Sequence, residues 1–134
     1  PDTSAPVPLE GGAARVLLVD DNQDAADTAS ALLQLSGYDV RTAYDPGVAL
    51  SLLEEFRPDV AVLDIGLPGM SGYELAGRLR AHRHGRNCYL VALTGYGTSA
   101  DVAQAQRAGF DAHLVKPARP EALLDAIRQG LDTA

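Results

Sequence analysis

Five polar side chains stand where apolar runs stop. "RVLLV" (15–19) ends in Asp20 and Asp21, "DVAVL" (59–63) in Asp64, "YLVAL" (89–93) in Thr94 and "DAHLV" (111–115) in Lys116. Adjacent carboxylates repel unless a cation lies against them. Three carboxylates, a hydroxyl and an ammonium gathered at one rim would suit Mg2+, a hard ion that keeps several waters and takes one or two carboxylates plus phosphate oxygens. Phosphoryl transfer asks a protein for positioning and charge neutralisation above all. An Asp carboxylate can serve as its nucleophile and become an acyl phosphate. Asp64 follows the middle run and is the candidate nucleophile, with the Thr94 hydroxyl and the Lys116 ammonium as holders of phosphoryl oxygens. Glycines in "GLPGMSG" (66–72) and "TGYG" (94–97) let backbone come close to an ion, and Pro117 permits a cis bond after Lys116. An Asp pair ahead of a helix is also an ordinary cap and dipole partner. The matching positions of Asp64 and Lys116 favour the ligand reading.

The elements that must position these residues are legible from periodicity. Between the apolar runs, with "YDVRTA" (38–43) as the second of five, lie segments with helical signatures. Asp21 or Asn22 caps the first, which carries Ala25, Ala29, Leu32 and Leu33 and stops at Gly37. Ala49, Leu52, Leu53 and Phe56 follow helical spacing before Pro58. Ser71 and Glu74 form a capping-box pair ahead of Leu75, Ala76 and Leu79. The fourth segment, 98–107, offers only Val102, Ala103 and Ala105, so its docking is expected to be weak. The fifth carries Leu123, Leu124, Ile127 and Leu131. Five strand–helix alternations imply an α/β fold with a parallel sheet and helices on both faces. The first, third and fourth runs are continuously apolar, as central strands should be, while the second and fifth suit edges. That gives the doubly wound order 2-1-3-4-5, which binds ligands outside the carboxyl ends of its strands.

Composition narrows the function. Net charge is −7, a poor match to phosphate-rich nucleic acid, so no nucleic-acid contact is expected of this domain. No apolar run approaches the roughly 20 residues of a membrane span. A single cysteine, Cys88, excludes an internal disulfide framework and fits a cytoplasmic setting, with Cys88 itself a small apolar residue. His82 and His84 look like a solvated helix end, since two ligands without a third seldom hold a metal. Residues 1–14, rich in Pro, Ala, Ser and Gly, read as a flexible linker, and 15–132 as the folded domain. The chain begins at Pro1 rather than Met and is expected to be a piece of something longer.

The motifs "LLVDDN", "VLDIGLPGMSGYEL", "ALTGYG" and "HLVKP", in this order, resemble a receiver domain of two-component signalling over about residues 15–132. The resemblance implies a flavodoxin-like (βα)5 fold and a phosphoacceptor at Asp64. It implies Mg2+ (or Mn2+) held directly by Asp21 and Asp64, largely through water by Asp20, and by the Gly66 carbonyl. Thr94 would be the switch hydroxyl and Lys116 the family's lysine. The donor would be a phosphohistidine on a histidine kinase or a histidine phosphotransfer domain, in a phosphorelay.

Two positions depart from the family pattern. His113 stands where the family often has an aromatic switch residue, and an imidazole is smaller and ionises near neutral pH. Gly66 offers no side chain to orient a hydrolytic water, which implies an aspartyl phosphate that is not unusually short-lived. Tyr73 and Tyr96 read as packing or partner contacts. Phosphorylation is expected to move the face made by the fourth helix, fifth strand and fifth helix.

The expected parent is a hybrid sensor histidine kinase, itself an enzyme and compatible with a membrane anchor, with this chain as its carboxyl-terminal receiver. A free-standing single-domain regulator, monomeric or weakly dimeric, is the alternative. Two other classes stand beside these. An aspartate-nucleophile phosphatase usually carries a second Asp two residues after the nucleophile, where this chain has Gly66. A degenerate receiver serving as a binding platform would not need the full set of Asp20, Asp21, Asp64, Thr94 and Lys116.

Overall fold

The computed structural model describes residues 13–95 and 97–133. Residues 1–12, most of the expected linker, and Tyr96 lie outside the described residues. Five strands alternate with five helices: β1 (Arg15–Val19), α1 (Gln23–Leu35), β2 (Asp39–Ala43), α2 (Pro46–Phe56), β3 (Val60–Asp64), α3 (Gly72–Ala81), β4 (Tyr89–Thr94), α4 (Ser99–Ala108), β5 (Ala112–Val115) and α5 (Pro120–Thr133). The strands form one parallel sheet in the order β2-β1-β3-β4-β5. The edge strands are the two that the sequence pattern marks as edges.

The sheet is buried on both faces because β1, β3 and β4 place apolar side chains on each. Leu17, Val19, Ala61 and Leu63 meet Leu53, Leu75, Leu79 and Phe110 on the side of α2, α3 and α4. Val16, Leu18, Val62 and Val91 meet Leu33, Leu123 and Ile127 on the side of α1 and α5. Fully burying one such side chain contributes about 1.5–3 kcal/mol. Cys88 is buried within the first of these layers, and the lack of solvent there pushes its thiol pKa up to about 12, so it is an apolar filler. At the amino end of β4, Tyr89 lies across Gly130 of α5, where an added Cβ would fall 2.5 Å from Tyr89 Cγ. That glycine lets α5 settle against the sheet.

Caps fix where each helix starts. Asn22, not Asp21, caps α1, its side chain accepting the Ala25 N–H at 3.1 Å, so the Asp21 carboxylate is left for other work. Asp45 caps α2 ahead of Pro46. Ser71 Oγ accepts the Glu74 N–H at 3.2 Å, while the Glu74 carboxylate pairs with Arg78. Thr98 caps α4, and Gly109 ends it in the left-handed region, φ +105°. Of the ten residues of α4, only Ala105 is buried, in line with the weak docking expected from its sequence.

Candidate functional site

Parallel strands bring their carboxyl ends to one rim, and there Asp20, Asp21, Asp64, Thr94 and Lys116 stand together. Register sets this out. Val19 pairs with Leu63, so Asp20 and Asp64 follow in adjacent strands. Asp64 pairs with Leu93 and Thr94 with Val115, which puts Thr94 and Lys116 one step further along the rim. The Lys116 N–H donates to the Thr94 carbonyl at 2.7 Å, and the Lys116–Pro117 bond is cis.

Side-chain geometry converges on Asp64, which is 3% exposed. Its Oδ1 accepts from Lys116 Nζ at 2.8 Å and from the Gly66 N–H at 3.0 Å. Oxygens of Asp20, Asp21 and Asp64 all lie within 4.8 Å of one another. Asp20 is buried, with Oδ1 accepting the Asn22 N–H at 3.0 Å, whereas Asp21 is exposed. Thr94 is buried at the same rim.

The two buried carboxylates are shifted in opposite directions. Burial raises the Asp20 pKa above its ordinary 3.8, and the charge of Asp64 and a hydrogen bond to it push the same way. Burial also acts to raise Asp64, but the Lys116 hydrogen bond, the Gly66 N–H and the Lys116 charge outweigh it and hold Asp64 below 3.8. Asp64 thus gives up its proton more readily than Asp20. One ammonium against three carboxylates leaves negative charge uncompensated, and all three oxygens are hard donors open on the Asp21 side. The donor set fits a divalent cation such as Mg2+.

Other predicted residues lie elsewhere. His113 is exposed on β5 and lines a small hollow with Val102, Gln106 and Phe110, beside α4 rather than at the acidic cluster. His82 and His84 are half-buried rather than fully solvated, because Glu54 of α2 reaches between them, 3.5 Å from His82 Nε2 and 3.6 Å from His84 Nε2. Pairing across about 30 residues of wound chain, from Glu54 to His82 and His84, has no signature in the sequence.

Two features of the site go unmarked in the sequence reading. A groove of about 460 Å3 opens from Asp20 and Lys116 along α1, lined by Leu18, Ala25, Ala29, Pro117 and Leu123. Its small residues at helical spacing are a signal that could have pointed to it. The second is Gly72, at the start of α3. A Cβ there would fall 2.6 Å from the Asp64 carbonyl oxygen and 2.7 Å from Ile65 Cα. Gly72→Ala is therefore expected to displace the backbone that carries Asp64 and cost about 1–3 kcal/mol of stability, as overpacking does. Urea unfolding measures this; an unchanged midpoint would contradict the contact.

Against known families, the model for the response regulator receiver domain matches residues 16–128. The chain belongs to that family. As a receiver it is similar to an uncharacterized 14.6 kDa protein in the sodA1 3′ region of Leptolyngbya boryana, 38% identical over 85% of this chain and 87% of that one. It is 33% identical to the DNA-binding response regulator MtrA of Mycolicibacterium smegmatis over 87% of this chain, and it spans about half of MtrA, 50%. Among solved structures it resembles a CheY-like response regulator receiver domain protein from Methanospirillum hungatei, with TM-score 0.84, 32% identity and coverage of 91% and 96% of the two chains. Receivers bind Mg2+ at an acidic pocket and take phosphate from histidine kinases; in this chain Asp20, Asp21 and Asp64 form an acidic cluster. No described helix is long and apolar enough to cross a membrane.

Proposed function

We propose that this receiver takes a phosphoryl group from a phosphohistidine onto Asp64. The observation that carries this is the setting of Asp64: buried, its Oδ1 held by Lys116 and Gly66, with its neighbours in reach of a shared cation. An Asp64 oxygen attacks phosphorus, a P–O bond forms and the P–N bond to the donor imidazole breaks. The electron pair leaves with the imidazole nitrogen. Lys116 stays against the new acyl phosphate, and the Thr94 hydroxyl donates a hydrogen bond to one of its oxygens. Asp21 and Asp64, the Gly66 carbonyl, and Asp20 largely through water, would hold Mg2+ or Mn2+. When bound, that ion offsets the charge of the carboxylates and of the phosphoryl oxygens. The groove along α1, opening directly onto Asp20 and Lys116, leaves room for the donor.

The readout is the face made by α4, β5 and α5. The phosphoryl group adds about 1.5–2 negative charges beside Thr94, and α4, with one buried residue, is the element least tied to the core. His113, exposed beside α4, is the candidate partner of Thr94 in the switch. With no side chain on Gly66 to orient water, the phosphate is expected to outlast a time scale of seconds. The setting is cytoplasmic, the domain a monomer or weak dimer without nucleic-acid contacts of its own. Its parent is a hybrid sensor kinase, on the likeness of "DIGLPGMSGYEL" and "LTGYG" to receivers joined to kinases. A free-standing regulator is the second reading.

Acetyl phosphate with Mg2+, followed by intact mass, tests the proposal. One stable added phosphoryl group supports it; sustained turnover would mean a phosphatase, and no adduct a binding platform.

Protonation and ion binding compete at Asp20. Its folded pKa lies above 3.8, so from 3.8 up through that raised value the folded chain holds more protons than the unfolded one, and metal-free stability falls as pH rises. Asp64 contributes oppositely, but only below 3.8. An ion that needs Asp20 ionised therefore gains most at high pH. Mg2+ at about 100 times its Kd is expected to add ~2.7 kcal/mol at pH 7.5 and distinctly less at pH 4.5. Thermal unfolding at both values checks this; a gain independent of pH would contradict it.

A further inference from the structure

The guanidinium of Arg80 has five N–H donors, and all five are used inside the protein. Nε and Nη2 donate to the Gly109 carbonyl at 3.1 and 2.7 Å. Nη2 also reaches Asp111 Oδ2 at 2.7 Å. Nη1 donates to the carbonyls of Arg86, at 3.0 Å, and Cys88. One side chain on the last turn of α3 thus ties together the end of α4, the start of β5 and the approach to β4. Asp111 Oδ2 extends the tie by accepting the Leu90 N–H at 2.8 Å.

The tie falls at one end of α4 only. Gly109 is the C-cap of that helix, where a cation is favourably placed against the helix dipole. The same end is held by apolar contact: Ala105 and Phe110 are buried, and Tyr73 of α3 meets Phe110 edge-on at 6.4 Å between ring centres. At the other end, next to the acidic rim, Ser99 and Ala100 are exposed and Val102 and Ala103 only partly covered. The Thr98 cap bonds within its own turn, to Asp101.

We propose that Arg80 is a positioning residue that pins the carboxyl end of α4, so that the helix moves by swinging its amino half about that pin. That events at Asp64 drive the swing rests on the phosphoacceptor reading; the pin itself does not. A lysine cannot replace it, since three donors on a single nitrogen cannot serve carbonyls on three sides. The consequence for signalling is directional. Movement is greatest beside Thr98 and falls to nothing at Gly109, so a partner that reads phosphorylation must touch the amino half of α4.

Amide exchange on the full, unphosphorylated chain tests the pin. In the wild type, amides 106–109 are expected to exchange at least about tenfold more slowly than amides 102–104. In Arg80→Lys, amides 106–109 should speed up about tenfold or more, with 102–104 within about twofold of wild type. Equal protection along α4 in the wild type, or unchanged protection of 106–109 in Arg80→Lys, overturns the proposal. If Arg80→Lys does not fold, Asp111→Asn is read against the same criteria, and the wild-type gradient still decides. A second arm adds acetyl phosphate and Mg2+. Changes confined to 102–104 in the wild type support the swing, and equal changes along the helix overturn it. An absent mass adduct would instead count against the phosphoacceptor reading, leaving the first arm to judge the pin.

Discussion

Asp64→Asn is expected to leave the protein folded and unable to take up a phosphoryl group. The amide has nearly the shape of the carboxylate, so its oxygen still accepts from Gly66 and Lys116, the two contacts that fix Asp64 Oδ1. It lacks the charge that makes the oxygen a nucleophile. Labelling by acetyl phosphate should fall by at least about a hundredfold, while circular dichroism and cooperative unfolding persist. Asp20 and Asp21 stand within 4.8 Å, yet neither is expected to substitute. Asp20 is the neighbour whose pKa burial raises, and Asp21 is exposed without the Lys116 contact. Undiminished labelling of the variant would place the chemistry on another residue.

Lys116→Ala is expected to be nearly as damaging while keeping the carboxylates. It removes the 2.8 Å contact to a side chain that is 3% exposed. Burial, which already acts to raise the Asp64 pKa, then loses its chief opponent, and the phosphoryl oxygens lose a fixed positive partner. Removing one such preorganised group typically slows a reaction by about 10²–10³, and that is the loss expected in the rate of labelling. The sign of the pH dependence follows. With its pKa no longer held down, Asp64 ionises later, so the variant should recover part of its rate as pH rises, over a range where the wild type is flat. A rate close to wild type at pH 7 would show that Lys116 does not act on Asp64.

Most of the architecture was legible in the chain because burial on both faces leaves a plain mark. The continuous apolar runs of β1, β3 and β4 place them centrally, and the alternation of Val40 and Arg41 places β2 at an edge. The site was legible for a related reason: a polar residue at the end of a buried strand needs an explanation, and β1, β3 and β4 all end that way, with Lys116 after the edge strand β5 alongside them. Legibility stops where a contact depends on which distant backbone comes near. Nothing in "SGYEL" says that Gly72 lies against the Asp64 carbonyl. Nothing near Arg80 says that its acceptors are carbonyls at 86, 88 and 109. Glu54 between His82 and His84 belongs to the same class. Local ambiguity accounts for the rest. Asp21 and Asn22 both have the chemistry of a cap, and only the helix start shows that Asn22 takes the role and leaves Asp21 to the rim.

Asp64, alone of the three rim carboxylates, is expected to carry the phosphoryl group. Borohydride reduces an acyl phosphate and turns the aspartate that bore it into homoserine, a permanent mark of position. Treating the protein with acetyl phosphate and Mg2+, trapping with borohydride and sequencing its peptides by mass spectrometry should give homoserine at residue 64, with Asp20 and Asp21 intact. Homoserine at either of those two instead, or none at all from a protein that has gained phosphate, would contradict it.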